Sequence, residues 1–584
     1  MRAASLFGVL LLAKILALAG RDIPLSAWSV PAYLWQDLIC ALAFAAFDYT
    51  LRRPWIVWTG YGAIAAYAAV NVPITRELST PLTWPLLRAA RGPLSDSIAH
   101  HVTPENVLLI CTVLVAASVF PLLLRRLPAR ALVMASVAAL PVVLLGPLGT
   151  SRVETRGLHR NALAALVTTA FPRIPAQDAA CDWRASLYDA GSEDDLSPYR
   201  GAAANYNVVL LILESAAAQY LKPYGAATDP MPRLTKLTER AILFENAYAV
   251  YPESIKGLYS IICSIEPAFG TTPEEYEPVP CVSLAEALGR AGYRTGLFHS
   301  GRFVYLGMES IVRRRGYQTL EDAGNIGGEY ESSFGIDEPS TVERILSWID
   351  ESSPDRRFFV TYLPIAGHHP YESPEAGPFP VTEDVHRYLN ALHYADAALG
   401  RLLDGLRARG LERNTVLVIV GDHGEAFGQH EGNYGHTLSI YEENVHVPYV
   451  IVAPGLIGDQ VRVRRIASLV DTAPTVLSLL GLDLPAEYQG RSLLDGRPSM
   501  ALFFTDYSLG LVGLRDGCWK IIDELDADQS ELYNLCSDPH EKVNLASQFH
   551  ERVKVYREHA RRWIAARRGF VQGYGKPLEP GTCQ

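Results

Sequence analysis

Apolar residues crowd the first 150 positions, where five stretches approach the length that crosses a bilayer: roughly 4–20, 28–48, 54–74, 105–124 and 129–148. The first holds Lys14 and, with small residues at Ala17, Ala19 and Gly20, taken alone has the form of a signal peptide. Four further apolar stretches follow at once, so it reads as the first helix of an α-helical membrane bundle of about five spans over 1–150. Residues 151–204 hold an amphipathic segment, Leu158–Phe171, and a polar, acidic stretch, Gly191–Ser197, which suits a connector near the membrane surface. From Asn207 the pattern changes. Short continuous apolar runs appear, NVVLLIL (207–213), FFVTYL (358–363), TVLVIV (415–420) and VPYVIVA (447–453). They alternate with helical stretches at 282–291, 339–350, 384–408 and 470–481. This alternation predicts an α/β domain whose mostly parallel sheet is covered on both faces. Ligands bind beyond the carboxyl ends of the strands in such sheets, so the polar residues after each run are the ones to weigh.

Charge adds an orientation. Arg52 and Arg53 lie between the second and third stretches, and Arg125, Arg126 and Arg130 between the fourth and fifth. Placing those short loops in the cytoplasm puts the N-terminus inside and everything after residue 150 outside. The loop 75–103, with Arg76, Arg88 and Arg91, then faces outward against the trend. Cysteine use points the same way. Cys40 and Cys111 fall in apolar runs, while Cys181, Cys263, Cys281, Cys518, Cys536 and Cys583 lie in the polar part. Cys263/Cys281 and Cys518/Cys536 each close a short loop, which suits disulfides in an oxidising compartment; six buried free thiols are the alternative. Acidic residues outnumber basic ones by 63 to 52 and no basic stripe with interleaved aromatics occurs, which argues against nucleic acid as a partner.

The candidate chemistry sits after the runs. Glu214 ends NVVLLIL and reads either as a helix cap or as a metal ligand. Asp422 and His423 follow TVLVIV in VIVGDHGEAFGQHEGNYGH, where an oxygen and an imidazole donor side by side suit Zn²⁺ or Mn²⁺ better than Ca²⁺ or Mg²⁺. His430 and His436 follow within the same loop, a density of histidine unusual for plain surface. His368 and His369 come after a third run and read as turn packing or as donors to substrate oxygens. Ser254 opens a helical stretch, so it is either an N-cap or a hydroxyl held beside free backbone N–H groups that attract anions.

Taken in order, LILES, the serine ahead of SIICS, HHP, GDHGEAFGQH…GH and the terminal SELYNLCSDPHEKVNLA resemble the sulfatase-like branch of the alkaline phosphatase superfamily, over roughly 205–550. The resemblance implies an alkaline-phosphatase-like catalytic domain at 205–505 and a small C-terminal subdomain at 506–584. It implies that Glu214, Ser254, Asp422 and His423 bind a divalent metal, that Ser254 is the nucleophile, and that His368 and His436 contact the substrate, with His430 a further substrate-side candidate. Sulfatases resemble one another in a Cys- or Ser-x-Pro-x-Arg signature oxidised to formylglycine. Here Ser254-Ile255-Lys256-Gly257-Leu258 lacks both Pro and Arg. Glu214-Ser215 and Asp422-His423 are instead similar to lipoteichoic acid synthases and phosphoethanolamine transferases, as is a multi-span anchor ahead of the catalytic domain.

Three functions follow as expectations. The first is transfer of a phospho-alcohol headgroup from a lipid donor to an envelope glycan or lipid, at the cell (inner) membrane with an extracytoplasmic catalytic domain. The second is hydrolysis of a sulfate or other soluble ester, which the C-terminal segment favours. The third is a non-catalytic envelope protein that keeps the fold.

Overall fold

The computed structural model describes residues 1–573 apart from 22, 24–25, 52, 91–100, 126–127, 172, 178–180, 189–194, 333, 354–355 and 528. Arg52, Arg91, Arg126, Cys583 and most of the acidic stretch at 191–197 therefore lie outside the described residues. The five apolar stretches fold as the helices Arg2–Leu18, Ser29–Thr50, Pro54–Leu78, Pro104–Leu124 and Ala129–Thr150. Among the described residues, two of these are long and apolar enough to cross a bilayer, Ser29–Thr50 and Pro104–Leu124, where five spans were expected. The others fall short for visible reasons. Arg2–Leu18 is short and buries Lys14 against Asp37 at 2.5 Å. Pro54–Leu78 carries Asn71, Arg76 and Glu77 in its last turns. In Ala129–Thr150 the described apolar part is the shorter segment Val137–Thr150.

The eight-stranded sheet is built from β1 (Asn207–Leu213), β2 (Ala241–Tyr248), β3 (Arg294–His299), β4 (Thr319–Glu321), β5 (Phe358–Leu363), β6 (Thr415–Gly421), β9 (His446–Val452) and β10 (Val461–Ser468). Its order is β10-β2-β9-β6-β1-β5-β3-β4, and only β9 runs against its neighbours, so the sheet is mostly parallel. The two-residue strands β7 (Ala426–Phe427) and β8 (Tyr434–Gly435) form a ribbon in the loop after β6. Every residue of β1, β5 and β6 is buried, as expected of strands covered on both faces. One face carries Val208, Leu210 and Ile212 into a core with Ile255 and Leu258; the other carries Val209, Leu211 and Leu213 against Tyr388, Leu392 and Leu399.

A second, antiparallel sheet of β11 (Ala501–Thr505), β12 (Leu511–Asp516), β13 (Trp519–Glu524) and β14 (Gln529–Asn534) packs on the C-terminal helix His550–Gln572 through Leu514, Ile521, Tyr556 and Trp563. Disulfides join Cys263 to Cys281 and Cys518 to Cys536, the two pairs that close short loops.

Candidate active site

The register between β1 and β6 sets Leu213 beside Gly421, which brings the next residues, Glu214 and Asp422, to the same sheet edge. The Asp422 Oδ1 atom accepts from the amides of Ser215 at 2.9 Å and His423 at 2.7 Å, tying the two strand ends together. Ser215 is held in the left-handed backbone region (φ 55°), which non-glycine residues seldom adopt, by that bond and by its hydroxyl donating to Glu214 at 2.9 Å. The backbone is packed tightly enough to require glycine after His423: a Cβ on Gly424 would meet the Glu443 carbonyl oxygen at 2.1 Å.

Ser254 enters from β2. It is the first residue of the helix Ser254–Cys263, but the cap is Glu253, whose carboxylate accepts from the Lys256 amide at 3.2 Å. The N-cap reading of Ser254 is thereby corrected: its hydroxyl is not spent on the helix. Instead Ser254 Oγ donates to Glu214 Oε2 at 3.0 Å and lies 3.2 Å from His423 Nε2. His423 Nδ1 sits 2.9 Å from the Gly424 carbonyl and so carries the proton, leaving Nε2 to face Glu214 at 3.6 Å and Asp422 at 3.5 Å.

These separations fit a bound cation. Ligand atoms about 2.0–2.1 Å from a tetrahedral ion stand roughly 3.4 Å apart, and the four contacts here run from 3.0 to 3.6 Å. Glu214, Asp422 and His423 are all buried. Burial, then the charge of Asp422, pushes the Glu214 carboxyl well above the usual range, a penalty that a divalent cation relieves.

His436 stacks on His423, ring centroids 4.1 Å apart. Its Nδ1 pairs with Glu425 at 2.8 Å, and Glu425 in turn accepts from the Tyr371 hydroxyl at 2.7 Å. Burial opposes a charge on His436, but Glu425, with Glu214 and Asp422, overrides it and raises the ring to about 9. His368 Nδ1 lies 2.7 Å from the His369 carbonyl, and its ring packs on Phe334 at 4.2 Å. Burial holds His368 down to about 4, within electrostatic reach of His436 and Glu425. A neutral His368 then keeps its proton on Nδ1, so it donates through Nε2 only after an anionic substrate helps protonate it.

His430 does not join this group. Its Nδ1 pairs with Glu443 at 2.6 Å, its Nε2 meets the Glu541 carbonyl at 3.1 Å, and its ring lies flat on Tyr441. Both nitrogens are used in tying the loop to the C-terminal segment, which corrects its substrate-side assignment. Lys256 is buried in an ion pair with Asp506 at 3.1 Å, and the His299 Nδ1 atom sits 3.0 Å from the Leu363 carbonyl. Glu425 and Tyr371 were missed from sequence, although Glu425 stands two residues beyond His423.

A cavity of about 490 Å³ has Glu253, the neighbour of Ser254, in its wall. One wall carries Trp84 and Arg88 from the helix Trp84–Ala89 and Phe171 just after the helix Ala162–Thr169.

Residues 206–482 match the Sulfatase family model. The chain carries a sulfatase-family domain. It is similar to arylsulfatase K of Canis lupus familiaris, 30% identical over 232 residues that make 34% of this chain and 42% of the relative. It is also similar to a lipoteichoic acid synthase-like protein of Bacillus subtilis, 22% identical over 52% of each. The chain thus spans less than half the length of the dog arylsulfatase K and about half that of the Bacillus protein. Among solved structures, the fold is that of a lipoteichoic acid synthase from Listeria monocytogenes, with a TM-score of 0.55, 18% identity and coverage of 67% of this chain and 97% of that one.

Proposed function

We propose that the protein is a membrane-anchored, metal-dependent phosphotransferase that moves a phospho-alcohol group, of the phosphoethanolamine or phosphoglycerol type, from a lipid headgroup donor to an envelope glycan or lipid. The observation that carries this reading is the Ser254 hydroxyl, free of any capping duty and within 3.0–3.2 Å of Glu214 and His423. Glu214, Asp422, His423 and Ser254 would hold the cation, with Zn²⁺ or Mn²⁺ favoured by the mixed donors and Ca²⁺ or Mg²⁺ the alternatives. When bound, it favours the Ser254 alkoxide and neutralises charge gathering on the phosphoryl oxygens.

Ser254 Oγ attacks phosphorus, the bond from phosphorus to the lipid oxygen breaks, and His436 Nε2 delivers its proton to that leaving oxygen. Glu425 and Tyr371 fix the ring that does so. His368, protonated as the substrate arrives, donates to a non-bridging oxygen. In the second half, an acceptor hydroxyl attacks the phosphoserine, returns a proton to His436, and Ser254 leaves. Leu258 stands where the sulfatase signature has its arginine and is buried in the core, which supports an unmodified serine and phosphorus over sulfur. The two apolar helices, with Leu108, Val115, Leu122 and Leu123 of Pro104–Leu124 exposed, support a membrane anchor, and the cavity walled by Trp84 and Phe171 supports a lipid donor. The multi-pass, outward-facing topology belongs to the same reading.

The similarity to arylsulfatase K favours a second reading, sulfate ester hydrolysis. Membranes carrying the full chain, incubated with headgroup-labelled phospholipid and with aryl sulfate, separate the two. Label transferred to Ser254 and to an acceptor supports the transferase, and aryl sulfate turnover without labelling supports the sulfatase. A Ser254→Ala chain that keeps full activity would leave the non-catalytic reading of this site standing.

A further inference from the structure

A groove of about 960 Å³ lies away from the strand ends that carry Glu214 and Asp422, where the edge strand β10 meets the turn between β12 and β13 and the C-terminal helix. Its lining includes Arg462, Arg464, Arg465, Arg515 and Arg552 against two carboxylates, Glu245 and Asp516. Among the described lining residues this is an excess of three positive charges, in a chain whose net charge is −11.

The carboxylates do not cancel it. Glu245 is taken by Arg462 at 2.6 Å and Arg464 at 3.7 Å. Asp516 accepts from the Leu187 amide at 3.2 Å and the Tyr556 hydroxyl at 3.0 Å. Arg515 is buried, with Nε donating to the Gly517 carbonyl at 2.6 Å, and Arg552 donates to the Tyr556 hydroxyl at 2.9 Å. Arg515 also acts on the buried Glu442 carboxylate, whereas the Arg552 guanidinium is held by aromatic rings. The Arg552 guanidinium lies 4.0 Å from the ring centre of Tyr188 and 4.7 Å from that of Trp519, and both rings line the groove. The Cys518–Cys536 disulfide fixes this wall.

Guanidinium forks suit carboxylate, phosphate and sulfate oxygens. Arg552 covers one face of these rings, and Tyr188, 50% exposed, still offers apolar ring surface against which a sugar can stack. The volume is at the upper end of single-ligand pockets. We propose that this groove is an exosite for an acidic glycan, which docks there by its anionic substituents and sugar faces, apart from the reaction at Ser254. The proposal stands whether the reaction is at phosphorus or at sulfur.

Binding of heparin, polygalacturonate and neutral dextran to the full chain in detergent, read by interferometry at low and high salt, tests it. Heparin or polygalacturonate should bind in a salt-sensitive way and dextran should not. The tighter of the two acidic polymers names the preferred substituent. Arg464→Glu, at a side chain 87% exposed, and Arg552→Gln should each weaken binding about tenfold or more. Arg464→Glu should leave turnover of a small aryl ester unchanged, and Ser254→Ala should keep polymer affinity. Should Arg552→Gln lose its fold by thermal melting, Arg464→Glu decides alone. Parent-like affinity in Arg464→Glu, equal affinity for dextran, or loss of binding in Ser254→Ala overturns the proposal.

Discussion

Ser254 stands at the first turn of a helix whose cap is already supplied by Glu253, so its oxygen has no structural debt and faces Glu214 and His423. Replacing it with Ala should lower turnover by about 10³-fold or more while leaving thermal stability close to that of the parent. The charge on His436 gives a pH signature. In the metal-free protein the ring is raised to about 9 from its ordinary 6.5, against burial, chiefly by Glu425. Its contribution to stability is thus fully present below about pH 6.5 and lost as pH rises through about 9. Melting temperature measured across that window should fall in the metal-free parent, and the fall should flatten in Glu425→Gln. Adding a divalent cation should shift the His436 titration downward, because the cation takes up the charges of Glu214 and Asp422. The candidate ligand residues were legible in sequence because each directly follows a strand or opens a helix. The duties of His430 and Glu253 were not, since they depend on residues far away in the chain, such as Glu541, or on which of two neighbours caps a helix.

At the scale of elements, the fully buried strands were legible as unbroken apolar runs and the helix Asp384–Ala408 as a periodic one. Strands β2 and β10 were not. Their sequences, AILFENAY and VRVRRIAS, mix charge into edge or near-edge positions and lack a clean period. The second sheet gave no such run either, and its role emerges only from contacts. Lys520 on β13, fully buried, pairs with Glu442 at 2.9 Å and Glu541 at 2.8 Å, and Lys542 donates to the Gln429 carbonyl at 2.6 Å. The C-terminal segment thereby clamps the loop that carries His436. Burial opposes the charge of Glu442, yet Lys520 holds it down to about 2. That part of the stability is present above pH 4.5 and lost as pH falls toward 2. Lys520→Met leaves two buried carboxylates uncompensated and should cost about 3–5 kcal/mol in denaturant unfolding, with activity falling in the fraction that stays folded.

For the whole molecule, the first 150 residues and the catalytic domain meet at the cavity beside Glu253. Hydropathy alone suggested five spans. Helix length and the polar residues set within Arg2–Leu18 and Pro54–Leu78 leave two that meet the requirement among the described residues. Trp84, Phe171 and Val304 are exposed at 38%, 67% and 72% and line this opening, where the proposed lipid donor would lie. Trp84→Ala should therefore reduce turnover of a phospholipid donor several-fold more than turnover of a small soluble aryl phosphate, a comparison made in one detergent preparation.

The central claim is an unmodified serine nucleophile that takes up a phosphoryl group. The mass of the peptide bearing Ser254, measured before and after exposure to phospholipid donor, addresses it most directly. An unmodified serine is expected before exposure and a phospho-alcohol adduct on Ser254 afterwards. A formylglycine mass at this position, or a sulfated adduct, would contradict it.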